Sequence, residues 1–173
     1  MTVLTTPRLS LRPLTPADLP AVLAYRNDPQ VARYQGWPLP ATLEAAAALV
    51  ADAPLGTPGW VQRGVWAGAR LAGDVALNTD SWRQQAELGV TLAAWAQGQG
   101  YAAEALRAVM AHAFDDLGLH RLHASADPRN GAVARLLTRL GFRHEGTSLR
   151  SCWHRDGWAD DARYGLLRSE WTP

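Results

Sequence analysis

Glu87-Leu-Gly-Val-Thr-Leu-Ala-Ala-Trp-Ala-Gln-Gly-Gln-Gly-Tyr-Ala-Ala-Glu104 is the stretch that decides how this chain folds. Its first half alternates, with Leu88, Val90 and Leu92 on one face of an extended segment and Glu87, Gly89 and Thr91 on the other. Its second half carries Gly98 and Gly100, which free the backbone from Cβ obstruction. An apolar stripe at helical spacing follows: Ala102, Leu106, Val109, Met110, Ala113, Phe114 and Leu117. A strand therefore runs through a glycine turn into a long helix, which Gly118 closes. The first turn of such a helix leaves N–H donors unpaired and its dipole favours an anion, so a phosphate or pyrophosphate is its natural guest. The plainer alternative is a glycine-tolerant helix start with no ligand. If the turn does cradle a phosphate, a side chain on Gly100 is expected to enter the space of the phosphate oxygens.

Upstream of this stretch, Leu9, Leu11 and Pro13 alternate with polar residues and predict a strand near 8–14. Thr15-Pro16-Ala17-Asp18 then offers an N-cap, a proline at the first helical position and an acidic first turn. The helix through Leu19, Val22, Leu23 and Arg26 is expected to stop near Asn27-Asp28-Pro29, followed by an irregular stretch over 31–40 and an alanine-rich helix over 42–53. Strands are predicted over 60–67 and 70–78 around a Gly68 turn, and over 86–92. Downstream come a short strand over 120–126, a helix through Val133, Leu136, Leu137 and Leu140 ending at Gly141, and a closing hairpin from 142–153 and 161–167. Central strands with helices between them imply an α/β (α+β) sheet with helices on both faces.

Length fits one domain over 1–173, with 47% hydrophobic and 19% charged residues. A net charge of +1 gives no electrostatic reason to expect nucleic acid or an acidic membrane as partner. All 17 basic residues are arginine. The absence of lysine excludes a phosphate-binding Walker lysine and a lysine Schiff base. Cys152 is the only cysteine, and the five histidines show no ligand spacing, so neither a disulfide nor a metal site is expected. With no long apolar run, the expectation is a cytoplasmic protein.

Gly98-x-Gly100-x-x-Ala103 also satisfies a dinucleotide fingerprint, which keeps an NAD(P)-binding oxidoreductase in view. Asp127 lies farther along than the usual ~20 residues, and the preceding strand alternates where a doubly buried parallel strand would be continuously apolar. That reading ranks second.

Gln97-Gly-Gln-Gly-Tyr-Ala102 resembles the acetyl-CoA motif of the GNAT N-acetyltransferases. The longer pattern from Glu87-Leu-Gly to Glu104-Ala105 is similar to the Rim-type branch, which acetylates ribosomal-protein N-termini. Thr6-Pro-Arg-Leu-Ser-Leu-Arg-Pro-Leu-Thr-Pro-Ala-Asp18, Asn130-Gly-Ala-Val-Ala-Arg-Leu-Leu-Thr-Arg-Leu-Gly-Phe142 and Trp158-Ala-Asp160 with Tyr164-Gly-Leu-Leu167 resemble other segments of that branch, in order. The resemblance implies a mostly antiparallel twisted sheet splayed between two central strands, with acetyl-CoA as cosubstrate in the opening and no metal. It implies that Val90, Thr91 and Leu92 face the pantetheine amides. It further implies that Gln97, Gly98, Gln99, Gly100, Tyr101 and Ala102 hold the pyrophosphate and that Asn130 bonds the pantetheine arm. Asn130 is also read as a plain helix cap, and the two roles can coexist.

Glu87 is the candidate general base, because the superfamily places a glutamate there and a carboxylate in a partly dry cleft accepts protons. An ordinary structural carboxylate is the competing reading. Leu137 and Val133 stand where relatives carry a tyrosine or serine that protonates the leaving thiolate, and neither side chain can donate a proton. The implied acceptor is a primary amine, either a protein N-terminus or a small molecule. A homodimer is the assembly the resemblance suggests, and a silent CoA-binding module is the non-enzymatic alternative. Glu145–Arg150 runs one residue longer than the family pattern, which predicts a bulge. Trp37, Trp82, Trp153 and Trp158 lie in or near loops as candidate walls of an acceptor pocket.

Overall fold

Strand β5 (Gln85–Leu92) touches its parallel neighbour β6 (Arg121–Ala126) over only three residue pairs, Gln85–Arg121, Ala86–Leu122 and Glu87–His123. On its other side β5 pairs with β4 (Arg70–Thr79) from Ala86 out to Leu92. Beyond Glu87 the sheet therefore opens, and the β6-facing edge of Val90, Thr91 and Leu92 has no strand partner. This computed structural model describes residues 3–155 and 157–172.

The full sheet has eight strands in the order β1-β2-β3-β4-β5-β6-β8-β7, antiparallel throughout except at the β5–β6 contact. The remaining strands are β1 (Leu4–Thr5), β2 (Leu9–Arg12), β3 (Gly59–Ala67), β7 (Arg143–His154) and β8 (Gly157–Leu167). The predicted strands at 60–67, 70–78 and 86–92 match β3 to β5 within one residue, and β1 is an addition.

One core lies between the sheet and helices α4 (Tyr101–Ala111) and α5 (Gly131–Arg139). Leu106, Val109, Met110 and Phe114 are almost completely buried there, and each contributes about 1.5–3 kcal/mol of hydrophobic stabilisation. A second core lies over the other face, built on α1 (Leu19–Arg26) and α3 (Leu43–Ala47) with Trp66 and Leu71 from the sheet. Between them α2 (Pro29–Ala32) is capped by Asp28, whose side chain accepts from the Gln30 N–H. Helices thus cover both faces, as the pattern implied.

Three local readings need correction. The stretch expected to be irregular from Val31 begins inside α2, because Asp28-Pro29 supplies a cap and a first-turn proline. The alanine-rich helix expected over 42–53 is only α3: Ala46 is buried in the second core, but Leu43 is 60% exposed, and Leu49 and Val50 reach that core from beyond the helix end. The long helix after Gly100 ends in a wider turn, His112–Asp116, before Gly118 at φ +69°. The expected bulge is present: β7 shifts register against β8 between His144 and Gly146 and again between Ser148 and Cys152.

Candidate active site

The opening between β5 and β6 widens into a cleft of about 920 Å³. Val90, Thr91 and Leu92 line it from β5, Gln97, Gly98, Gly100, Tyr101 and Ala102 from the turn and first turn of α4, and Asn130 from the start of α5. Arg135 and Arg139 project into it from α5, and Arg33 and Tyr34 close it from beyond α2. The structure therefore brings together every cofactor-binding residue singled out in the sequence except Gln99, which lies behind the wall.

The turn is held from outside. The Gln97 side-chain amide donates to the Leu92 carbonyl at 3.0 Å, and that of Gln99 donates to the Trp95 carbonyl at 2.7 Å. Gly98 and Gly100 sit at φ +74° and +80°, the left-handed region that side chains disfavour. A Cβ on Gly100 would lie 3.3 Å from the Arg8 guanidinium and one on Gly98 would meet nothing within 4 Å. The nearest protein atom to a Gly100 Cβ thus belongs to Arg8, while Gly100 itself lines the cleft. Asn130 caps α5 by accepting from the Val133 N–H at 3.3 Å while also lining the cleft, so both roles read for it are compatible.

Glu87 is not on the wall of this cleft. It is half-buried on the opposite face of β5, where the exposed Ser125 of β6 donates its hydroxyl to Glu87 Oε1 at 2.8 Å. His123 shares that face through its register with Glu87. Burial pushes the His123 imidazole below its ordinary range; the Glu87 carboxylate opposes this, while Arg121 and Arg163 reinforce it. The same face carries a second cleft of about 410 Å³, which includes Gly89, Val90 and Thr91 of β5. The two clefts share Gln35, Val90 and Thr91. A molecule in each would meet at this segment of β5.

In that second cleft Asp74 of β4 is buried, accepts a short hydrogen bond from the Tyr25 hydroxyl and lies 3.7 Å from the Arg26 guanidinium. Burial pushes the Asp74 carboxyl up, while Arg26 and Tyr25 pull it down. Burial likewise pushes the Tyr25 phenol upward, and Asp74 adds to the effect. Sequence reading missed Arg26, Asp74, Trp60 and Ser125, because each belongs to a different element and they are brought together only by sheet register and by the packing of α1 on the sheet. Of the four tryptophans named as acceptor walls, Trp37 lines this cleft. Trp153 and Trp158 instead stack on each other edge-to-face at the β7–β8 turn, and Trp82 projects into solvent. Among the described residues no histidine, cysteine and carboxylate cluster could hold a metal, and no helix is long and apolar enough to cross a membrane.

A strand pair splayed beside a glycine turn at a helix N-terminus gives this fold an elongated cleft with backbone donors at one end. The family profile described as an acetyltransferase (GNAT) domain matches residues 8–143, and the chain belongs to the GNAT acetyltransferase family. Two relatives from Bacillus subtilis (strain 168) bear the names uncharacterized N-acetyltransferase YnaD and YoaA. YnaD is 33% identical over 76 residues, 44% of this chain and 45% of that protein. YoaA is 29% identical over 174 residues, 96% of this chain and 97% of that protein. Among solved structures, Mycobacterium smegmatis RimJ in complex with CoA-disulfide superposes with a TM-score of 0.83 at 22% identity, covering 99% of this chain and 88% of that one. The dinucleotide reading of the glycine turn gives way to this assignment, in keeping with the antiparallel pairing of β5 to β4.

Proposed function

We propose that this protein transfers the acetyl group of acetyl-CoA to a primary amine by direct attack within a ternary complex. The observation that carries this reading is the meeting of two clefts at Val90 and Thr91, one running to a glycine turn and the other lying on the face of a strand carboxylate. The larger cleft fits acetyl-CoA: the unpaired edge of Val90–Leu92 can take the pantetheine amides as a strand would. Gln97–Ala102 offers backbone N–H groups to the pyrophosphate, with Arg135 and Arg139 beside it, and Asn130 faces the arm. When bound, acetyl-CoA supplies a thioester carbonyl carbon as the electrophile.

Glu87 removes a proton from the incoming ammonium, and Ser125 orients the carboxylate for that task. The freed nitrogen forms its bond to the carbonyl carbon as the carbon–sulfur bond breaks, and its surplus proton passes to solvent. Val133 lines the cleft and Leu137 is buried, so neither returns a proton to the sulfur. Tyr34 places a phenol on the cleft wall, next in sequence to Gln35 at the junction of the two clefts, and takes that role. Cys152 is exposed on β7, outside the residues lining either cleft, so no acetyl-enzyme forms. A cytoplasmic setting and a homodimeric assembly complete the proposal.

Acetyl-CoA is expected to raise the melting temperature, NAD(P) is not, and amines are expected to release free thiol from acetyl-CoA. Absence of any acetyl-CoA response over a wide concentration range overturns the reading. An acetyl group trapped on Cys152 in mass spectra overturns the direct attack.

A further inference from the structure

The smaller cleft has an unusual wall. Trp60 of β3 is 50% exposed, yet its ring lies across β5: a Cβ built on Gly89 would be 3.6 Å from the ring. The indole thus lies against the strand at Gly89, two residues from Glu87 on the same face. A large aromatic surface left half in solvent on the wall of a cleft, in the cross-strand row that runs through Asn78 to Glu87, is a surface shaped for a ligand.

The charges of this cleft cancel. Arg26 and Asp74 are the charged residues that line it, and they face each other at 3.7 Å. Asp74 is further occupied by the Tyr25 hydroxyl, and the Arg26 guanidinium lies 4.4 Å from the centre of the Trp37 ring. A polycationic acceptor needs carboxylates free to pair with its distal ammonium groups. The cleft lining offers none, whereas Trp60, Trp37 and Leu49 offer apolar surface. Successive same-face positions on a strand are roughly 6–7 Å apart, a distance that an aromatic ring with a short carbon arm spans.

We infer that the acceptor is a small primary monoamine on a flat apolar body, an aryl-alkyl amine whose ring packs on Trp60 and whose nitrogen passes Gly89 to reach Glu87. This inference rests on the acetyltransferase reading and names the substrate class of that site.

The test compares 2-phenylethylamine with ethylamine, spermidine and a short peptide bearing a free α-amine, by thiol release at saturating acetyl-CoA. For 2-phenylethylamine, kcat/KM should exceed that of each comparator at least tenfold. Trp60→Ala should raise its KM about tenfold and leave the KM for acetyl-CoA unchanged, while Trp60→Phe retains most of the affinity. Trp60→Leu, which keeps apolar bulk without a ring, should behave like the alanine variant and serves if that one does not fold. Preference for spermidine or the peptide overturns the inference, as does an unchanged KM in the Trp60 variants; either leaves the acetyltransferase reading standing. Thermal stabilisation by acetyl-CoA without turnover of 2-phenylethylamine also overturns it. If acetyl-CoA neither binds nor turns over, both readings fall together.

Discussion

Arg8 grips Glu104 across 96 residues of sequence, its Nε donating to Glu104 Oε2 at 2.6 Å and its backbone N–H donating to Oε1 at 3.0 Å. The Thr6 hydroxyl adds a third donor at 2.6 Å. The same guanidinium donates to the Gln99 carbonyl at 2.9 Å and lies over the Tyr101 ring. The opening Thr6-Pro7-Arg8 segment thereby fixes the glycine turn from behind.

If this brace shapes the turn, Arg8→Ala should weaken acetyl-CoA binding about tenfold to a hundredfold, the worth of one charge-assisted hydrogen bond. The kcat should remain near normal. Calorimetric titration with acetyl-CoA, together with a full kinetic analysis, checks both halves of the expectation.

The brace also predicts an acid dependence. Burial raises the Glu104 carboxyl, but the hydrogen bonds from Thr6 and Arg8 outweigh it and hold the group below its ordinary range. A carboxyl depressed in the folded state binds fewer protons there than when unfolded. Its stabilisation is complete above the unfolded value, roughly 4.3, and is lost as pH falls through the lower folded value. Denaturant unfolding at pH 7 and at pH 3 should therefore show a smaller gap between the native protein and Glu104→Gln at the acid pH.

Gly98 and Gly100 separate backbone strain from crowding. Alanine at either position should cost about 1–2 kcal/mol for a left-handed conformation. Only Gly100→Ala also presses on the Arg8 guanidinium, so only that variant should combine lost stability with reduced acetyl-CoA affinity, by no more than in Arg8→Ala. Equal affinities in the two glycine variants would show that the brace does not reach the cosubstrate.

Glu87→Gln should slow turnover by roughly 10²–10⁴-fold if the carboxylate is the base. Ser125→Ala should lower kcat about threefold to tenfold through loss of the hydrogen bond to Oε1, with acetyl-CoA affinity intact. A near-normal rate in Glu87→Gln returns that residue to a structural role.

Tyr34→Phe removes one oxygen and should reduce kcat without changing either KM. The effect should be largest with acceptors for which departure of the thiolate limits the rate. An unchanged kcat for every acceptor leaves protonation of the sulfur to solvent.

Strands β3 to β5 were readable because alternation over a half-buried face leaves a direct imprint on composition, and the Gln97–Ala102 turn because glycine in a left-handed conformation has few substitutes. Asn130 was readable as a cap for the same local reason. The partnership of Ser125 with Glu87 was not, since it depends on a parallel register set by a crossover of some thirty residues between them. Arg26, Asp74 and Trp60 converge from α1, β4 and β3, and no local pattern in any one of those segments marks a shared pocket. The length of α3 was misjudged because alanine favours a helix wherever it stands, while packing decides where the helix continues.

The three-pair seam between β5 and β6 makes this sheet an unfinished one, and a cosubstrate lying along Val90–Leu92 would act as its missing rung. Anything that binds the folded chain and not the unfolded one stabilises it by mass action, about 2.7 kcal/mol at a hundredfold excess over Kd. The metabolic supply of acetyl-CoA would then set the lifetime of the protein as well as its rate. When the cell is starved of activated acetyl units, the two half-sheets would lose their splint, and the protein would become more vulnerable to proteolysis.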